Sequence, residues 1–213
     1  MRNKTIALLI VLVGIFTACS TTTSITGSWV SPEHQKAVEY KKVAVVVLSN
    51  KTTSQLIFEQ AFVDRLKYLG YDAISTSSFI VPEVVKKENA KVIDKMMKDR
   101  GVDAVIILSL LEVEEGVRYV PGTTSYAPRP YYGGYYGYYY NNYNHMNSPG
   151  YYEETKSIFL ESNFYDLTKG KLLSSIQTAT VDPAGADDLA VSFSTAILKK
   201  MIVDKVLVNN SGK

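Results

Sequence analysis

Val43-Ala44-Val45-Val46-Val47-Leu48 is a run with no polar position. It is too short for a helix, and β-branched residues dominate it. A strand that is apolar on both faces must be covered on both faces. Such a run therefore marks a central strand in a sheet flanked by helices.

The chain on either side fits that reading. Polar residues 49–54 follow the run. Leu56, Phe58, Phe62, Leu66 and Leu69 then recur at helical spacing, which leaves Glu59, Asp64, Arg65 and Lys67 mostly on the solvent side. Gly70 ends this helix, because glycine takes the left-handed position beyond a helix C-terminus at little cost. Residues 71–80 read as a second, less apolar strand near a sheet edge. Pro82 opens a second helix, where its missing N–H is harmless. Val84, Val85, Val92, Ile93, Met96 and Met97 give its buried stripe, and Gly101 ends it. Residues 102–113 form the longest strand, fully apolar at first and alternating from Leu111 to Glu114, so its far end is expected in solvent.

The β-α-β-α-β order implies parallel strands joined by right-handed crossovers. Beyond it, residues 156–165 and 171–181 read as a hairpin with Gly170 in the left-handed turn position. Leu189, Phe193, Ala196, Ile197 and Met201 form a third amphipathic helix, and Asp187 and Asp188 suit its N-terminal dipole. The expected fold class is α/β with α+β character at the C-terminus. Its mixed sheet is built in the order β-α-β-α-β-(loop)-β-β-α, with helices packed on it. A single domain is expected over residues 41–208, with a Tyr-rich insert at 121–152 and a fraying tail at 209–213.

The N-terminus is of another kind. Arg2 and Lys4 precede an apolar run at residues 6–16, broken only by Gly14. The run falls well short of the roughly 20 residues a transmembrane helix needs. It ends in Phe16-Thr17-Ala18-Cys19, small residues leading to the chain's single cysteine. This resembles the lipobox of bacterial lipoprotein precursors, departing from it at Phe16, where that family usually has Leu. The resemblance implies a signal peptide at residues 1–18 and lipidation of Cys19. The plainer alternative is an ordinary cleaved signal peptide. Polar, aperiodic residues 19–40 read as a flexible tether able to reach roughly 70 Å at ~3.3 Å per residue. Trp29 is its exception and is expected to pack on the domain edge.

Without Arg2 and Lys4, the 23 basic residues fall level with the 21 acidic ones. A neutral mature chain has no basic patch of the kind nucleic acid requires, so no nucleic-acid partner is expected.

Residues 126–152 hold 11 of the 16 tyrosines, with three prolines, several glycines and asparagines, and no Leu, Ile or Val. Such a segment cannot build an aliphatic core. Its composition fits a tolerated low-complexity insertion. It also fits a contact surface, since tyrosine offers a flat apolar face with a polar tip. Tyr131, Tyr132, Tyr135, Tyr136, Tyr138, Tyr139, Tyr140 and Tyr143 are the candidate partner-binding residues.

Catalytic chemistry finds little support. His34 and His145 are the two histidines, and neither has metal-ligand spacing to a cysteine or carboxylate. Lipidation would consume the only thiol, and no Gly-x-Ser-x-Gly elbow is present. Residues 49–53 stand where doubly wound folds hold phosphate, but without the glycines that permit close approach. A solvated loop capped by Thr52 or Thr53 is expected instead. Glu112, Glu114 and Glu115, with Glu153 and Glu154, read as solvent-facing acids more readily than as a catalytic pair. No catalytic residue, metal or cofactor is expected.

Several short motifs together carry a resemblance. They are Phe58-Glu59 with Phe62, Leu69-Gly70-Tyr71, Gly101-Val102-Asp103-Ala104, and Tyr165-Asp166 with Gly170-Lys171. They resemble bacterial lipoproteins whose α/β domain is like the N-terminal domain of the Tol-system β-propeller protein. The penicillin-binding-protein activator and the curli-secretion lipoprotein share that architecture. The resemblance implies a lipid-anchored, non-enzymatic accessory protein of the cell envelope, bound to an envelope protein or cell-wall glycan. The alternative is a subunit of a multimeric envelope or export complex. With Ser20 rather than an acid after the cysteine, such proteins usually reach the outer membrane and face the periplasm.

Overall fold

A computed structural model describes residues 21–34, 36, 38–80, 90–120 and 151–211. The expected signal peptide, Cys19, the start of the second helix at Pro82, Val84 and Val85, and residues 121–150 of the Tyr-rich insert lie outside them.

Six strands form one sheet: β1 (Thr23–Val30), β2 (Lys42–Leu48), β3 (Asp72–Ser75), β4 (Ala104–Val120), β5 (Tyr151–Asp166) and β6 (Lys171–Val181). Among the described residues, three helices accompany them: α1 (Thr52–Tyr68), α2 (Ala90–Lys98) and α3 (Ala186–Val203). The strand order across the sheet is β1-β6-β5-β4-β2-β3. The β2 strand pairs in parallel with β3 and with β4, while β1 pairs antiparallel with β6. This is the mixed α/β sheet expected, with one strand more.

The chain divides into two compact units. The first comprises Met1–Glu112 and Ile158–Lys213, and the second Val113–Ser157.

In the first unit, alternation along β2 sorts its side chains between two cores. Val43, Val45 and Val47 join Phe62, Leu66, Phe193 and Ile197 under α1 and α3. Ala44 and Val46 join Met97, Val105 and Ile107 under α2 on the opposite face. Period-2 geometry and an unbroken apolar run together require helices on both faces.

Several expectations are corrected. The segment expected as a tether contains β1, a full strand in register with β6 from Thr23↔Thr180 to Val30↔Ser174. Threonine and isoleucine favour the pleated backbone, and the polar character that suggested a linker belongs to an edge strand. The connection after it also lies on the domain. Ser31 N–H donates to the Leu173 carbonyl at 2.8 Å, and Tyr40 is buried. Trp29 sits on the edge strand, 46% exposed.

The second strand is shorter than expected, because a 3₁₀ turn at Thr76–Ser78 replaces its latter half. It is an edge strand, as read. The β4 strand continues to Val120, and its residues 110–119 are exposed. Leu56 and Val92 were assigned to buried stripes but are half exposed.

Gly70 is left-handed, with φ +86°. Gly70 N–H donates to Lys67 O and Tyr71 N–H to Leu66 O, both at 3.0 Å, closing the two-bond motif that ends helices at glycine. Asn210, within the tail expected to fray, instead docks here. Asn210 N–H donates to Leu69 O at 3.0 Å, and the Tyr71 hydroxyl donates to Val208 O at 2.8 Å.

Candidate functional site

The acids within the quoted motifs all have structural occupations. Glu59 was assigned to the solvent side of α1 but is fully buried. It stands three, four and seven residues before Phe62, Val63 and Leu66, in phase with the buried stripe; its charge alone hid this. Its carboxylate accepts hydrogen bonds from the Ser75 hydroxyl, the Thr76 hydroxyl at 3.0 Å, Ser77 N–H at 3.0 Å and Val47 N–H at 3.3 Å. One side chain thus fastens the carboxyl ends of β2 and β3 to α1.

Asp103 accepts Lys41 N–H at 2.7 Å and Lys42 N–H at 3.0 Å, fixing the start of β2. Asp166 builds the β5–β6 turn by accepting Thr168 N–H at 2.9 Å and Lys169 N–H at 3.1 Å. Burial opposes ionisation of Asp166, but these bonds and the Thr168 hydroxyl outweigh it and hold the carboxyl below the usual range. Burial, and then the negative charges of Asp166 and Asp103, push the nearby Tyr40 phenol upward. Gly170 takes the left-handed position at φ +64°, as the hairpin reading requires.

A cavity of about 430 Å³ opens at the carboxyl end of β2. Val46, Leu48, Asn50, Thr76, Ile80 and Met97 are among its lining residues. The connections leaving β2 and β3 lead to helices on opposite faces, so this is the switch point where open α/β sheets place ligands. Its chemistry is sparse: among the described residues no Asp or Glu lines it, and Glu59, bonded to the lining residue Thr76, is occupied by the donors already named. The helix that opens here has Lys51 as its N-cap, with no side-chain cap bond, rather than Thr52 or Thr53. Ser49 Oγ accepts Lys51 N–H at 3.1 Å, so the turn is closed by a side chain two residues before the N-cap.

A second cavity, of about 570 Å³, is an open groove between the start of β1 and α3. Thr21, Thr23 and Ile25 line one side, and Asp188, Val191, Ser192, Thr195, Lys199 and Val203 are on the other. The helical residues recur at three- and four-residue steps, a single stripe along α3.

In the second unit, Arg118 pairs with Glu153 at 2.7 Å and Lys156 with Glu115 at 3.2 Å. The Tyr119 and Tyr152 rings lie 5.2 Å apart. Each step forward on β4 is a step back on β5, the register of an antiparallel ribbon. Glu115 and Glu153 therefore serve cross-strand ion pairs, and Glu112 and Glu114 are exposed. His34 lies on the first unit, its Nε2 2.9 Å from Lys205 O. Among the described residues, no three of His, Cys, Asp and Glu gather to hold a metal, and no helix is long and apolar enough to cross a membrane. His145, Cys19 and the eight candidate tyrosines at 131–143 lie outside the described residues.

No family model matches the chain, so the resemblance to the Tol-system domain stands on its motifs alone. No curated protein matches it either. Among solved structures, it is similar to a PelC dodecamer from Paraburkholderia phytofirmans, with 14% identity over 83% of this chain and 95% of that one, at a TM-score of 0.43. It is also similar to the lipoprotein GNA1162 from Neisseria meningitidis, with 15% identity over 76% of this chain and 99% of that one, at a TM-score of 0.40.

Proposed function

We propose that the chain is a lipid-anchored, non-enzymatic accessory protein of the bacterial cell envelope, held at the outer membrane and binding an envelope protein or cell-wall glycan. The observation that carries this reading is Phe16-Thr17-Ala18-Cys19 behind a basic, apolar leader. A sole cysteine at that boundary serves as an acyl acceptor. Two structural facts support it. The folded part begins at β1, four residues past Cys19, so an anchor there would hold the first unit close to the membrane. The buried carboxylates Glu59 and Asp166 are engaged by backbone N–H and hydroxyl donors, which suits scaffolding rather than proton transfer. The tyrosines at 131–143 are the partner-binding residues in this proposal.

The test is growth with an alkyne-tagged palmitate, followed by fractionation of the wild type and Cys19→Ser. Label and membrane association in the wild type, both lost in the variant, are expected. An unlabelled, freely soluble wild type overturns the anchor. Crosslinking in living cells with mass spectrometry then identifies the partner. Absence of any captured partner, with an inert monomeric domain, overturns the accessory role.

A further inference from the structure

We propose that the groove between β1 and α3 is the face on which the first unit rests against the bilayer leaflet that holds Cys19. This rests on the lipidation reading above and adds an orientation to it.

The argument begins with how the chain enters the fold. The Thr21 hydroxyl donates to the Asp188 carboxylate, and Thr23 N–H donates to Ser192 Oγ at 2.9 Å. The Thr23 and Thr180 hydroxyls are 2.8 Å apart. The chain is thereby pinned onto α3 from Thr21 onward. Cys19 lies only two residues earlier, a reach of about 7 Å at ~3.3–3.6 Å per residue. The headgroup layer on one side of a bilayer is of similar depth, since ~30 Å of hydrocarbon grows to only ~40–45 Å with both interfaces. With its lipid in the leaflet, the face around Thr21 is in contact with headgroups. The long tether that would have released it does not exist.

The chemistry of the face suits that position. Val191, Thr195, Lys199 and Val203 follow one another at four-residue steps along α3, and the two valines are 60% and 67% exposed. Ile25 adds apolar surface from β1. Apolar tips, hydroxyls and a long-stemmed cation are the side chains an interface accommodates, and Lys199 can meet lipid phosphate while Lys200 is tied to Asp204 at 2.5 Å. Asp188, the carboxylate on this face, is occupied by Thr21 and by Ala184 N–H at 3.2 Å.

The edge strand gives an independent indication. Soluble proteins blunt exposed sheet edges with charge, proline, bulges or very short strands. Residues 23–30 carry no charge and no proline over eight residues, and their ladder is interrupted only by a register break between Ile25 and Gly27. Apposition to a membrane shields such an edge from other chains.

The test uses the full lipidated protein in vesicles of phosphatidylethanolamine and phosphatidylglycerol, where Cys19 is blocked by its lipid. Single cysteines are introduced as Thr195→Cys and Val203→Cys, with Asp72→Cys on β3 and Asp94→Cys on α2 for comparison. Each carries a fluorophore, and quenching by spin-labelled lipid is measured. Several-fold stronger quenching at 195 and 203 than at 72 and 94 is expected. Equal quenching at all four in protein that floats with the vesicles overturns this proposal and leaves lipidation standing. Failure to float overturns lipidation and this proposal together. Concentration-dependent shielding of 195 and 203 in lipid-free Cys19→Ser protein assigns the face to a second copy and also overturns it.

Discussion

The Glu59 carboxylate accepts the Thr76 hydroxyl at 3.0 Å, and that same hydroxyl lies 3.0 Å from the Val45 carbonyl. A carboxyl side chain of α1 is thus linked through one hydroxyl to the backbone of the central strand. Removing the carboxylate as Glu59→Ala leaves Ser77 N–H, Val47 N–H and the Ser75 hydroxyl without this acceptor, while Thr76 keeps the Val45 carbonyl. The expected loss is about 2–4 kcal/mol, read from urea denaturation. Glu59→Gln keeps the shape but turns an amide NH₂ toward donors, so a loss of about 1–3 kcal/mol is expected. Unchanged stability in both variants contradicts a fastening role.

Gly70 is constrained twice. Its φ of +86° disfavours any side chain, and a Cβ there would stand 2.8 Å from Asn210 Cβ. Gly70→Ala is therefore expected to cost about 1–2 kcal/mol for the backbone, with a steric share in addition. In a chain ending at Val208 the steric share disappears and the backbone share stays. Equal losses in the two backgrounds would show that the C-terminal residues do not dock there in solution.

Asp166 predicts a pH dependence. Its folded pKa is depressed by hydrogen bonds that overcome burial. Its stabilisation is therefore fully present above the ordinary unfolded carboxylate value of ~3.9. It is lost as pH falls from there through the folded value, because the unfolded state binds the proton first. Asp166→Asn keeps an acceptor for the turn but has no proton to bind. The variant should show a shallower decline of stability in acid than the wild type and little pH-dependent difference above pH 5. A wild-type acid limb matched by the variant rules this out.

The core was readable because its signals are local. The unbroken run at 43–48, the stripe through Phe58, Phe62 and Leu66, and Gly70 each state their role within a few residues. What was missed depends on distant partners. The β1 strand is polar in sequence and becomes a strand only against Thr178 and Thr180 of β6. Glu59 reads as exposed by charge, although its phase with Phe62 and Leu66 was visible. The docking of Asn210 depends on a turn 140 positions away and leaves no mark in its own composition. Cys19 is proposed from its motif alone, since it lies outside the described residues. The β1–α3 groove was not legible in the sequence, since it exists only once residues 21–25 and 188–203 are brought together.

The β1 strand yields a direct contrast between tether and strand. A chain beginning at Ser31 loses the strand that pairs with β6 and leaves β6 as a new edge, with Ile176 and Thr178 beneath it no longer flanked. Low solubility and a clearly lower melting temperature than a chain beginning at Thr21 are expected. A flexible tether would be removable without effect.

Deletion within the Tyr-rich segment should have the opposite result. Residues 126–150 contain no Leu, Ile or Val and so bring no aliphatic material to a core. The ends of the segment are also close, because Tyr119 and Tyr152 face each other with ring centroids 5.2 Å apart and Arg118 pairs with Glu153 beside them. Strands in such register are joined in hairpins by turns of two to five residues, so the residues left at 121–125 suffice to close the ribbon. The shortened chain is expected to melt at the wild-type temperature in a thermal scan. In cells it should keep its membrane fraction while losing the crosslinks made by the full chain. A large fall in melting temperature would mean that the segment is part of the folded structure, and crosslinks retained in full would move the partner surface away from the tyrosines.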